Sequence, residues 1–256
     1  MGISAHREVN SLVADVHNRL VRLLSGNLVG VYVFGSVASG AYQPGVSDVD
    51  LLAVSAHPLA AAEYAQLELM HTALAAEHQQ WANRVEVAYL SRAALRTFKE
   101  RTSQIGIISP GEPFHVVTAG RDWLMNWYDV REHAIIVGGP DPKTLIDPIA
   151  PSELQACVRE YLQLFRERVR HNPHRGSDAY AVLTMCRGLH TGQMGQTATK
   201  EAAAQWATLR FPEWHELIAQ AQRWRLAADN EAINSDETHA EVEAFVDFAI
   251  RAFGQP

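Results

Sequence analysis

Residues 29–53 read VGVYVFGSVASGAYQPGVSDVDLLA, and this stretch decides the fold. Val29, Val31, Val33 and Phe34 form a β-branched and aromatic run that stops at Gly35-Ser36. A loop rich in Gly, Ser and Pro spans 38–46, and Ser47-Asp48-Val49-Asp50-Leu51-Leu52 resumes an apolar strand. Side chains alternate along a strand, so Asp48 and Asp50 share one face while Val49 and Leu51 share the other. Two neighbouring carboxylates on a half-buried strand repel each other and resist desolvation. A hard divalent cation such as Mg²⁺ relieves both penalties and prefers such oxygen ligands beside substrate phosphates. Gly35 and Ser36 add backbone that can approach a phosphate closely, with N–H groups and a hydroxyl to bind it.

Working outward, Val9, Leu12, Val13, Val16, Leu20, Leu23 and Leu24 recur at helical spacing, and Gly26 closes that helix. A second helical pattern runs from Pro58 to about Gln80. Arg84–Leu90, RVEVAYL, alternates as a strand whose one carboxylate is Glu86, the expected third acid beside Asp48 and Asp50. Arg92–His115 is poor in pattern and contains Ser109-Pro110-Gly111-Glu112-Pro113, so it reads as a loop bordering the site. A helix over Asp122–His133 and a strand over Ala134–Val137 follow. Prolines 142, 148 and 151 mark a boundary near residue 150.

Everything beyond reads as helix. Ser152 is placed as the cap of a helix to Arg170, and further helices cover Tyr180–His190, Thr197 or Thr199 to Arg210, Pro212–Ala227 and His239–Phe253. The fold class is therefore α+β, with a mixed sheet flanked by helices over 1–150 and an all-α bundle over 151–256.

Composition excludes several classes. Hydrophobic content of 47% and charged content of 20% describe a globular domain, and no apolar run approaches the ~18 residues of a membrane span. Cys157 and Cys186 stand alone, without the paired spacing of a zinc site or disulfide framework. A net charge of −7 disfavours a nucleic-acid partner and suits a cationic small molecule. Cytoplasmic location and a monomeric state are the expectations.

The Gly-Ser…Asp-x-Asp pattern resembles that of the polymerase-β-like nucleotidyltransferases. Over nearly the whole chain the order of motifs is similar to the aminoglycoside 3″-adenylyltransferases of the streptomycin/spectinomycin type. VYVFGSVASG, SDVDLLAV, RVEVAYL, VREHAIIVGGP, AVLTMCRGLHTG and KEAAAQWATLRFP carry the likeness. The resemblance implies AMP transfer from ATP to a hydroxyl of a small cationic acceptor. Asp48, Asp50 and Glu86 would hold Mg²⁺, and Glu86 would also be the base on that hydroxyl. Gly35, Ser36, Ser47, Asp122, Arg187 and Lys200 would bind the nucleotide in a cleft between the domains.

Departures from the family fall on the acceptor side. Where the family has a tryptophan after Gly-Glu, Gly111-Glu112 is followed by Pro113-Phe114. That leaves Glu112 and Phe114 as acceptor contacts. The family's Gly-Asp-Glu-Arg appears as Gly176-Ser177-Asp178-Ala179, with Asp178 kept as an amine contact. Trp224 is expected beside the adenine, and the Thr191–Thr199 loop carries three extra residues by the same comparison. Two other readings stand beside this one. One is a nucleotidyltransferase with a different small-molecule or protein acceptor. The other is a toxin–antitoxin component, prompted by the R-x-x-x-x-H spacing of Arg166 and His171.

Overall fold

The computed structural model describes residues 2–170, 174–227 and 236–254. The chain divides into two compact units, Met1–Pro148 and Ile149–Pro256.

In the first unit, α1 (Arg7–Leu23) buries Val9, Leu12, Val13, Val16 and Leu20 along one stripe. Then come β1 (Leu28–Phe34), the one-turn α2 (Gly35–Ala38), β2 (Val49–Ser55), α3 (Ala61–Glu77) and β3 (Val85–Ser91). α4 (Arg92–Thr97), β4 (Ser103–Ser109), β5 (Glu112–Ala119), α5 (Leu124–His133) and β6 (Ile135–Gly138) complete it. The six strands lie in the order β5-β4-β3-β2-β1-β6. β2 and β3 run parallel, which a tight turn cannot achieve, and α3 supplies the crossover. The other neighbours are antiparallel. Val31, Val33, Val49, Leu51, Val85, Val87 and Tyr89 pack in one core with α1 and α3. The alternate positions of β2 and β3 put Asp50 and Glu86 on the opposite face.

The segment 92–115 corrects the loop expectation. Ser91 Oγ accepts the Ala94 N–H at 3.2 Å and caps α4, after which β4 and β5 form a hairpin. Pro110-Gly111 is its turn, and Pro113 stands on the outermost strand. A proline's missing N–H is tolerated on an edge strand, so the breaker residues did not break the sheet.

The second unit contains α6 (Pro151–Arg170), α7 (Arg175–Met194), α8 (Lys200–Arg210), α9 (His215–Leu226) and α10 (Asp236–Ala252). α7 is the central helix, contacting the other four. At Gly188 a Cβ would lie 2.7 Å from Leu162 Cδ1, so glycine lets α6 and α7 come close. Several boundaries differ from expectation, with α7 beginning at Arg175 rather than Tyr180 and α10 at Asp236 rather than His239. Ala150, rather than Ser152, takes the cap position of α6: its carbonyl accepts from Glu153 and Leu154 N–H groups. Its own N–H donates to Glu153 Oε2 at 2.8 Å. Thr191–Met194 continue α7, so the loop before Lys200 is shorter than 191–199.

Arg166 forms an ion pair with Asp247 of α10 at 2.6 Å. His171, the other half of the R-x-x-x-x-H spacing, lies outside the described residues. No helix of the described residues is long and apolar enough to cross a membrane.

Candidate active site

The site is assembled by strand register. β1 ends with Phe34 opposite Asp50, and Asp50 in turn lies opposite Glu86 in the parallel β2–β3 pair. Asp48 lies just before β2, close enough for its charge to act on Glu86. All three acids are part-buried.

Gly35 makes that arrangement possible. Its φ is +63°, and a Cβ there would fall 2.0 Å from Asp50 Oδ2. Any side chain would displace the carboxylate. The glycine that the sequence suggested for phosphate approach is first of all the seat of Asp50. Ser36 Oγ donates to the Asp48 carbonyl at 3.4 Å, which ties α2 to the start of β2.

Burial, then the charges of Asp48 and Glu112, push the Glu86 carboxyl up to about 7. A carboxyl so placed attracts either a proton or a cation. The donor set of three carboxylates suits a hard oxygen-seeking ion such as Mg²⁺. Among the described residues, the group whose ligand atoms all lie within 4.8 Å of one another is Asp15, Glu77 and His78. Those acids already bind Arg19. Asp48, Asp50 and Glu86 are not drawn that tight.

Ser47 is 4% exposed, and its Oγ accepts the Gln43 N–H at 3.1 Å, which shapes the loop before β2. Asp122 is exposed in a 3₁₀ turn (Arg121–Trp123) that precedes α5, with Oδ1 accepting the Gly120 N–H at 2.7 Å. Glu112 is exposed at the hairpin tip, 3.5 Å from His115.

Phe114 corrects the expected acceptor contact. Its ring stacks on His71 of α3 at 6.0 Å and meets Tyr89 edge-on at 5.9 Å. Tyr89 points to the core face, so Phe114 belongs to the side of the sheet away from Glu86. Gly106 leaves room for it: a Cβ there would meet Phe114 Cζ at 3.0 Å and Tyr64 Cε1 at 2.8 Å. The Ile-Gly-Ile run around Gly106 was the available signal.

The second unit holds the remaining candidates. Arg187 Nε donates to the Ala198 carbonyl at 3.0 Å. Lys200, the first residue of α8, places Nζ 5.1 Å from the Tyr180 ring centre. Asp178 is fully buried and its Oδ1 accepts from His239 Nδ1 at 2.8 Å, so it is not the open amine contact expected of it. Trp224 is largely buried.

One residue escaped the sequence reading. Arg84, at the mouth of β3, donates from Nη2 to the Ser47 carbonyl at 2.6 Å and to the Tyr42 hydroxyl at 3.4 Å. Its guanidinium lies over Trp81 at 5.2 Å, and its carbonyl accepts the Val49 N–H at 3.0 Å. A lone arginine before a strand carries no pattern that announces this.

Comparison with known proteins agrees with the geometry. Residues 15–109 match the model of a nucleotidyltransferase domain, and 144–252 match that of the C-terminal domain of aminoglycoside adenylyltransferase. An aminoglycoside (3″)(9) adenylyltransferase of Escherichia coli is 25% identical over 89% of both chains. A spectinomycin 9-adenylyltransferase of Staphylococcus aureus is 23% identical over 78% of both. In fold, the chain is similar to spectinomycin adenyltransferase AAD(9) of Enterococcus faecialis, solved with ATP and spectinomycin. That similarity has a TM-score of 0.75 at 18% identity, covering 96% of this chain and 99% of the other.

Proposed function

The chain belongs to the aminoglycoside adenylyltransferase family of nucleotidyltransferases, and on that footing we propose that it moves AMP from ATP to a hydroxyl of an aminoglycoside or aminocyclitol of the streptomycin or spectinomycin kind. The observation that carries this reading is the Asp50–Glu86 pairing across β2 and β3, with Asp48 just before β2 and Gly35 beneath.

Asp48, Asp50 and Glu86 would hold Mg²⁺, which when bound offsets the negative charge of the phosphate oxygens. Glu86 accepts the proton of the acceptor hydroxyl as its oxygen attacks the α-phosphorus, and pyrophosphate leaves. A carboxyl pushed towards 7 is a better proton acceptor near neutral pH than an ordinary glutamate. Ser36 and the backbone at Gly35 contact the triphosphate. Arg187, Lys200 and Asp122 are assigned to the nucleotide by family resemblance. The net charge of −7 favours a cationic acceptor.

The test is pyrophosphate release from ATP and GTP against streptomycin, spectinomycin and unrelated polyols. Release only with ATP and one of the two drugs is the expected result. ATP turnover that no drug stimulates would sink the acceptor class. A second reading, a different small hydroxyl-bearing acceptor, is favoured by the inward Phe114, which removes an aromatic platform from the acceptor side.

A further inference from the structure

We infer that Arg84 is the positioning residue that fixes Asp48 in its working geometry. Asp48 is the one acid of the three that precedes its strand, because β2 begins at Val49. The sheet ladder begins only at the Val49 N–H, and the loop leading to Asp48 contains two glycines with positive φ, Gly40 and Gly45.

Arg84 holds the peptide ahead of Asp48, where the ladder does not reach. Its Nη2 donates to the carbonyl of Ser47 at 2.6 Å, while on the other side the Val49 N–H is held at 3.0 Å by the backbone carbonyl of residue 84, a bond that a changed side chain there leaves intact. The guanidinium is itself fixed by the Trp81 face at 5.2 Å and the Tyr42 hydroxyl at 3.4 Å. Tyr42 is 9% exposed, so that anchor is part of the core. A planar fork that stacks on a ring while donating sideways is a task lysine performs poorly. With both peptide groups pinned, Asp48 keeps little freedom beyond its side-chain torsions.

This inference rests on the proposed role of Asp48 as a metal ligand. It is tested by titrating Mn²⁺·ATP into the protein without acceptor, for wild type, Arg84→Gln, Arg84→Lys and Asp48→Asn. Removing a group that orients a metal ligand weakens metal binding by about 10- to 100-fold. Both Arg84 variants should show that loss, with the KM for Mg·ATP rising in step and Tm little changed in Arg84→Lys. An aspartate held only by its own turn would give another pattern: wild-type Mn²⁺·ATP affinity in a folded Arg84→Lys. That result, with Asp48→Asn failing to bind, overturns the positioning role and leaves the function intact. Wild-type binding by Asp48→Asn overturns both. Should Arg84→Gln not fold, Arg84→Lys alone decides, since it keeps the charge and the aliphatic stem.

Discussion

At the scale of single residues, the site depends on charge held at a cost and on space denied to side chains. The Glu86 carboxyl is lifted from an ordinary 4.5 to about 7 in the folded protein. The folded chain therefore holds that proton more tightly than the unfolded chain does, and stability falls as pH rises from about 4.5 to 7. Above 7, ionised Glu86 is a destabilising group. Glu86→Gln should accordingly raise the free energy of unfolding at pH 8 in metal-free buffer, by up to about 3 kcal/mol, with the gain fading by pH 4.5. The same variant should largely keep ATP binding yet show no AMP transfer in a pyrophosphate assay; turnover near wild type would remove Glu86 as the base. Gly35→Ala tests the seat of Asp50. A left-handed backbone and a Cβ 2.0 Å from the carboxylate predict loss of activity together with about 1–3 kcal/mol of stability, read by urea denaturation.

At the scale of elements, what the sequence disclosed and what it hid divide along physical lines. Strands β1, β2 and β3 were legible because β-branched runs and alternation mark them, and Asp-x-Asp on a strand fixes its own face. Helix α1 was legible from its apolar stripe. The hairpin β4–β5 was not, because Pro110, Gly111 and Pro113 are breakers by composition, and only an edge position makes them harmless. Phe114 illustrates the limit for site residues: a motif aligns a position, but the pleat decides which side of the sheet the ring occupies. Asp178 went the same way, its partner His239 lying far along the chain. Helix α8 offers a clean test of a local device. Thr199 Oγ1 accepts the Ala202 N–H at 3.1 Å, so Thr199→Ala should cost about 1 kcal/mol. Lys200→Ala, one residue on, should leave Tm alone and raise the KM for ATP. A pair of variants with the reverse pattern would make Lys200 a structural residue.

At the scale of the whole molecule, the two units carry separable reporters. Cys157 and Cys186 both belong to the helical unit and are 4% and 0% exposed. Burial also pushes the Cys186 thiol up to about 12, far from the thiolate that reacts. Thiol reagents should leave the native protein unlabelled, and labelling in rising urea should track the opening of residues 149–256 alone; quick labelling in plain buffer would contradict the packing around α7. The first unit has a different history to tell. Its parallel β2–β3 pair joins Asp50 to a partner that lies beyond the whole crossover helix. A chain emerging from the ribosome thus presents both aspartates well before Glu86 has been made, and long-range pairing of this kind forms late. If the three acids hold Mg²⁺ as proposed, the full ligand set exists only after β3 has docked beside β2, so the centre is a product of the finished sheet.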